Sequence, residues 1–159
     1  MIDNITKQVK YKESLDLWFP NLFEYKGGIQ VYLQDILQAI QEKSPKLSVH
    51  ILDKLDRHRP IDKWQTENFS FSFSGNIPKS WQTLHFAIHS IRSALINKPK
   101  LIVCGHLNFA PVALWLNRLL GIPYWILVYG VDAWNIKDLW KIEALKKAEK
   151  IISIFFLNK

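Results

Sequence analysis

The sequence predicts an α/β domain, a three-layer sandwich in which helices cover both faces of a mainly parallel six-stranded sheet. Two observations carry that expectation: six short β-like runs alternate with segments of helical periodicity, and Pro20, Gly75 and Gly105 stand where the first, third and fourth runs stop. With 159 residues, 48% of them apolar and 22% charged, the chain has the size and composition of one domain around one sizeable core.

The elements follow in order. Leu15 to Phe19 is the first strand, stopped by Pro20. Gly27 and Gly28 precede a helix whose stripe of Ile29, Leu33, Ile36, Leu37 and Ile40 recurs at helical spacing and runs out near Lys43, before Pro45. Ser48 to Leu52 is the second strand, and the polar segment with His58, Arg59 and Pro60 reads as a loop. From Asn68 to Ser74, Phe69, Phe71 and Phe73 alternate with Ser70, Ser72 and Ser74, a period of two that predicts a strand with one wetter face at the sheet edge. Gly75 to Lys79 turns the chain. Trp81, Leu84, Ile88, Ile91 and Leu95 then read as the packing stripe of a second helix, ending at Asn97.

Leu101 to Cys104 is a buried strand with Gly105 as its stop. Pro111 lies in the first turn of the third helix, where its missing amide hydrogen costs nothing; Val112, Trp115, Leu116, Leu119 and Leu120 are its expected packing face, and Gly121 and Pro123 close it. Tyr124 to Val128 is the fifth strand. Asp138 to Lys147 is a shorter helix expected to pack through Leu139, Ile142 and Leu145, and Ile151 to Phe156 is the sixth strand.

The formal charge of +7 falls on the later two thirds of the chain, which suits a solvated basic surface or a patch facing anionic lipid. Nucleic acid is disfavoured as a partner, because the lysines are scattered and nothing spaces like a zinc finger or a recognition helix. Cys104 is the only cysteine, so there is no intrachain disulfide and no multi-cysteine metal site. No stretch reaches the roughly 18 continuous apolar residues of a spanning helix, and the first fourteen residues read as neither signal peptide nor anchor.

Three loops are expected at the carboxyl ends of parallel strands, where open sheets bind ligands: Pro20 to Gln30, Gly105 to Ala110 and Tyr129 to Asn135. Gly27 and Gly28, just before a helix, either let first-turn amides receive a diphosphate or only shape a tight turn; they match neither G-x-G-x-x-G nor the G-x-x-x-x-G-K-[ST] phosphate loop. His106, with Asn108 two residues on, either contacts a hydroxylated substrate or opens a helix beside an Asn cap. Asp132 either accepts bonds from sugar hydroxyls and acts as a base, or caps a turn. His85 and His89 stand four apart, but Phe86 occupies the glutamate position of a H-E-x-x-H zinc motif. Trp134 and Trp140 are core or surface aromatics, or rings for a sugar or a lipid interface.

Four segments together resemble a known family: Phe19-Pro20-Asn21-Leu22-Phe23-Glu24-Tyr25-Lys26-Gly27-Gly28-Ile29-Gln30, Cys104-Gly105-His106-Leu107-Asn108-Phe109-Ala110-Pro111, Tyr129-Gly130-Val131-Asp132-Ala133-Trp134, and Ala144 to Ser153. In this order they resemble the N-terminal, acceptor-side domain of glycosyltransferase family 4, retaining enzymes of the hexosyltransferase type built from two facing Rossmann-like domains, the GT-B fold. The resemblance covers about residues 15 to 154. It implies that Gly27, Gly28 and Gln30 lie against the diphosphate or sugar of a nucleotide-sugar, that His106, Asn108 and Asp132 contact substrate, and that Asp132, Tyr129 and His106 are the catalytic candidates. Tyr129 stands where the family commonly has His, and a phenol does not exchange protons at neutral pH as imidazole does.

The resemblance also implies partners and limits. The nucleotide-sugar is a substrate and no cofactor is expected; the acceptor is the second partner. The main donor pocket belongs to a C-terminal domain for which residues after Lys159 leave no room, so residues 15–159 are expected to form a domain truncated at the interdomain boundary, preceded by an atypical extension over residues 1–14. Such a chain is expected to be inactive alone, cytoplasmic, and peripheral on the inner face of the membrane where it meets anionic lipid. The alternative is a non-enzymatic partner-binding α/β domain.

Overall fold

A computed structural model describes residues 13–59, 64, 66–130 and 136–153. Its elements run β1 (Ser14–Phe19), α1 (Gly28–Lys43), β2 (Ser48–Asp53), β3 (Phe69–Phe73), α2 (Lys79–Asn97), β4 (Leu101–Cys104), a 3-10 turn (Leu107–Phe109), α3 (Ala110–Leu120), β5 (Tyr124–Val128), α4 (Leu139–Lys147) and β6 (Lys150–Ser153). The six strands form one sheet in the order β3-β2-β1-β4-β5-β6, and every pair is parallel. The expected α/β sandwich is therefore present, with β3 at an edge as its alternation foretold. Residues 154–156 of the expected sixth strand lie outside the described residues.

Strand order reverses between β1 and β4. From β1 the chain moves outward through α1 to β2; from β4 it moves the other way through α3 to β5. Right-handed crossovers then place α1 on one face of the sheet and α2, α3 and α4 on the other. The two faces bury separate cores. Leu17, Phe19, Leu33, Leu37, Val49 and Ile51 pack on the α1 side, while Trp18, Phe86, Ile102, Leu114, Tyr124 and Ile126 pack on the other. Adjacent residues of β1 thus divide between layers, as a period-two strand buried on both faces must.

α1 uses the stripe its sequence announces, burying Leu33 and Leu37 with Ile29, Ile36 and Ile40 half-buried. It ends at Ser44, whose amide donates to the Ile40 carbonyl. α3 begins with Pro111 in its first turn and stops at Gly121, whose φ of 70° is the left-handed cap that glycine adopts without steric cost.

α2 overturns its expected orientation. Trp81, Leu84, Ile88 and Leu95 are exposed, Ile91 alone of the expected stripe packs against the core, and the helix instead buries Gln82, Phe86, Ser90 and Ala94. The cause lies in the strands beneath it. β2 and β3 present His50, Ser70 and Ser72 on this side, followed by Ser74, and α2 answers with polar groups: Ser72 Oγ is 3.2 Å from His89 Nδ1, Ser74 Oγ is 3.0 Å from His85 Nδ1, and Ser93 donates to Asp16 Oδ2 at 3.0 Å. A buried hydroxyl or imidazole needs a hydrogen-bond partner, so the polar face of the helix turns inward and the apolar face is left outside.

The expected packing faces of α3 and α4 hold in part, with Leu116 buried and Val112 and Leu145 packed against the core. α3 buries Ala110, Ala113, Leu114 and Leu116, the alanines allowing close approach to the sheet, whereas Trp115, Leu119 and Leu120 are exposed. On α4, Leu139 is exposed and Ala144 is buried. Asp138 precedes this helix as its cap, accepting the amides of Trp140 and Lys141.

Candidate functional site

Strand order reverses between β1 and β4, and the carboxyl ends of the strands at such a reversal are where open parallel sheets receive ligands. Gly105 sets how closely the two loops that leave these strands, the candidate walls of a site, approach. Its amide donates to the Trp18 carbonyl at 2.7 Å, and a Cβ there would stand 2.4 Å from Phe19 Cδ1. Only glycine lets β4 leave the sheet this near to the end of β1.

The first wall is the loop from Pro20 to Gly27. It is held from beneath by the fully buried Asp56: Oδ2 accepts the amides of Leu22 and Phe23, each at 2.6 Å, and Oδ1 accepts that of Glu24 at 3.2 Å. Glu24 in turn accepts the Arg57 amide at 2.8 Å. Asp53 fixes Asp56, its Oδ1 accepting the amides of Leu55 and Asp56 at 3.0 and 2.9 Å. Burial first, and the neighbouring Asp56 charge second, push the Asp53 carboxyl up to about 8. Neither aspartate stands out in the sequence, since acids after a strand usually cap exposed turns. Their D-x-x-D spacing directly behind β2 is the one signal that marks them.

Gly27 caps α1 in extended backbone, φ −164° and ψ 170°. No side chain caps the first turn of this helix and no acidic residue lies in it, so its leading amides remain donors toward the candidate site. Gln30 folds back over the helix start: its Nε2 donates to Asn21 Oδ1 at 2.8 Å, and its Oε1 is the atom that a Cβ on Gly27 would meet, at 2.7 Å. Gly28 is the first helical residue.

The second wall begins with His106 and Asn108. His106 caps the 3-10 turn, its Nδ1 accepting the backbone amide of Asn108 at 3.1 Å, and its ring meets Phe109 edge-on at 6.2 Å between centroids. Asn108 therefore orients the imidazole through its main chain rather than its side-chain amide, which is exposed. An Nδ1 that accepts a hydrogen carries none, so the neutral ring holds its proton on Nε2.

Tyr129 follows β5, next to β4 in the sheet. It is 6% exposed and belongs to the buried cluster on the α1 side. Gly130 after it has a φ of 47°. Asp132 and Trp134 lie outside the described residues. The structure thus brings Gly27, Gly28, Gln30, His106 and Asn108 to the carboxyl ends of neighbouring strands, with Tyr129 one strand further along and mostly enclosed.

A cavity of about 190 Å³ lies elsewhere, between α2 and the strands β2 and β3, lined by His50, Ser70, Ser72, His89, Arg92 and Asn97 among others. Burial holds the imidazoles of His50 and His89 below their ordinary range. Among the described residues no group of three side chains is placed to hold a metal ion, and Cys104 is buried with its thiol pushed far up by desolvation.

No family model matches the chain, and no curated protein does. Solved structures share its fold. The UDP-GlcNAc 2-epimerase of Methanocaldococcus jannaschii superposes with a TM-score of 0.54 at 14% identity, over 88% of this chain and 39% of that one. The apo form of the lipopolysaccharide outer core galactosyltransferase WaaB gives 0.54 and 14%, over 87% of this chain and 38% of that one. The chain spans about two fifths of each of these proteins. At this identity the likeness is one of fold: a six-stranded parallel sheet with its helices, as in one Rossmann-like half of a GT-B protein.

Proposed function

We propose that this chain is the N-terminal, acceptor-side domain of a retaining glycosyltransferase of the family 4 type, which moves a sugar from a nucleotide-sugar to an acceptor hydroxyl. The observation that supports the reading is that an uncapped helix start at Gly27 and Gly28 and an imidazole whose Nδ1 accepts the Asn108 amide both follow the carboxyl ends of neighbouring strands, β1 and β4. In the transfer, the bond from the anomeric carbon to the diphosphate breaks and one to the acceptor oxygen forms, while the acceptor proton leaves. The amides at the start of α1 suit the charge that grows on the departing diphosphate, at a site where ordered dipoles need no rearrangement.

With its Nδ1 accepting the Asn108 amide, the neutral His106 ring carries its proton on Nε2 and does not serve as the base. Its role is positioning. Asp132, which follows β5 in the sequence, is the candidate for the base. The opposite wall and the main donor pocket belong to a second domain, as the coverage of WaaB and the epimerase favours. No cofactor takes part, the nucleotide-sugar being consumed.

The test is a titration of the ¹⁵N-labelled chain with UDP-glucose, UDP-galactose, UDP-GlcNAc and GDP-mannose, with product assayed in parallel. Expected are shifts at residues 27–30, 105–109 and 130, roughly millimolar affinity, and no turnover. Shifts absent from those segments at saturating sugar nucleotide would refute the site, and turnover by the chain alone would refute its division between two domains. The alternative of a partner-binding domain draws support from the exposed apolar face of α2 and α3.

A further inference from the structure

We infer that β3 is a self-complementary edge through which two copies of this chain pair antiparallel, joining their sheets about a two-fold axis. Three features of the strand carry this. The first is a row of unused backbone groups. In a parallel ladder alternate residues turn both N–H and C=O toward the same neighbour. The Val49 amide donates to the Asn68 carbonyl at 2.8 Å and the Ser74 amide to the Asp53 carbonyl at 2.9 Å. The even-numbered residues of β3 therefore serve β2, and Phe69, Phe71 and Phe73 direct their backbone groups away from the sheet. Among the described residues no strand lies on that side. The Phe69 amide is used locally, donating to the Thr66 carbonyl at 3.2 Å.

The second is symmetry. The strand is Phe69-Ser70-Phe71-Ser72-Phe73, the same read in either direction. A two-fold axis at Phe71 sets Phe71 opposite Phe71, Phe69 opposite Phe73 and Ser70 opposite Ser72, so like meets like on both faces. In that register the outward residues become the hydrogen-bonded pairs of an antiparallel ladder. Each Phe71 amide donates to the Phe71 carbonyl of the second copy and each Phe73 amide to its Phe69 carbonyl, and neither bond needs the Phe69 amide.

The third is a lack of the usual protection. Edge strands are blunted by Lys, Pro, bulges or brevity. β6, at the other edge, is four residues long and begins with Lys150, whereas β3 has neither charge nor proline. The hydroxyls of Ser70 and Ser72 already meet His50 and His89 of the same chain, and the rings of Phe71 and Phe73 stack at 6.0 Å. What lacks a partner is the backbone. A foreign strand would meet the same donors, but matching on both faces at once belongs to a second copy, as in any two-fold interface. Arg59 lies over the Phe71 ring at 5.7 Å, and its repulsion by the same residue of the second copy is screened by salt. The inference does not depend on the sugar-transfer reading.

The experiment is sedimentation equilibrium of the chain in about 0.15 M salt, with hydrogen exchange of the wild type read residue by residue at two chain concentrations. Expected is a monomer–dimer equilibrium with a roughly micromolar dissociation constant, as suits a small interface. Exchange at the Phe71 and Phe73 amides should slow as concentration rises. Phe71→Pro removes an outward N–H without touching the ladder to β2. It should weaken the dimer more than about tenfold beyond Phe71→Ala, which keeps that N–H. Circular dichroism checks the fold of both variants, and exchange in the wild type decides if either unfolds. A chain still monomeric at about 1 mM, as expected if the edge serves a foreign strand instead, would overturn the inference. So would equal dimers from Phe71→Pro and Phe71→Ala, or exchange at the two amides that ignores concentration.

Discussion

Asp56 Oδ2 stands 2.6 Å from the amide nitrogen of Leu22, 34 residues earlier in the chain, and by the same carboxylate holds the amides of Phe23 and Glu24. Three successive donors of the first candidate wall thus depend on one buried side chain. Asp56→Ala leaves them without an acceptor and should cost about 3 kcal/mol. Asp56→Asn keeps an oxygen but loses the charge and should cost about half as much. Urea unfolding of the two variants checks the order; equal midpoints for Asp56→Ala and the wild type would show that the loop does not need this anchor.

Asp53 makes stability fall as pH rises. Its carboxyl is raised from 3.8 to about 8 by burial and by Asp56, so the folded chain keeps a proton that the unfolded chain gives up near pH 4. The stabilisation is whole below the unfolded value and is lost progressively as pH climbs toward about 8. Asp16 is raised as well, to about 6, while His50 and His89, lowered from 6.5 by burial, make the unfolded chain bind more protons near pH 6.5 and act in the opposite sense, which leaves the interval from about pH 7 to 8 to Asp53. Stability in that interval should drop by about 1 kcal/mol per pH unit. Asp53→Asn, which retains the oxygen that Leu55 and Asp56 use, should flatten the slope and exceed the wild type at pH 8, as urea midpoints at several pH values would reveal.

How far the sequence spoke depended on whether a feature was local. β4 and β5 match their expected bounds, because short apolar runs ending at Gly or bordered by Pro leave little choice. α1 also matches, since its stripe meets apolar strands. α2 has an equally clear stripe and turns it outward, because the side of β2 and β3 beneath it holds His50, Ser70 and Ser72, and which face of a strand meets which helix is a long-range fact. Asp53 and Asp56 went unremarked for the same reason: their ligands, the amides of residues 22 to 24, lie far off in sequence. The glycine pair and His106 were legible as residues at strand ends because a strand end followed by a helix start is a local pattern.

Gly105 and Gly27 should respond unequally to the same change. An added methyl at Gly105 meets Phe19 Cδ1 at 2.4 Å and the Trp18 carbonyl at 2.9 Å, ring and backbone held by the core. Gly105→Ala should therefore cost about 2 to 3 kcal/mol. At Gly27 the methyl meets only the end of the Gln30 side chain, and the backbone is extended, so Gly27→Ala should cost less than about 1 kcal/mol. Thermal unfolding of the two variants compares them, and a Gly27→Ala loss as large as that of Gly105→Ala would place the structural demand at the wrong glycine.

The tautomer of His106 decides what the second wall can do. Because the Asn108 amide donates to Nδ1 at 3.1 Å, the neutral ring must carry hydrogen on Nε2, and that atom is a donor. Long-range ¹H–¹⁵N spectra of the imidazole should show Nδ1 as the unprotonated nitrogen at neutral and alkaline pH. His106→Asn can still cap the turn through its side-chain oxygen and should cost little stability, whereas His106→Ala should lose about 1 kcal/mol. A ring protonated on Nδ1 would free Nε2 to accept a proton and would move His106 from positioning to base.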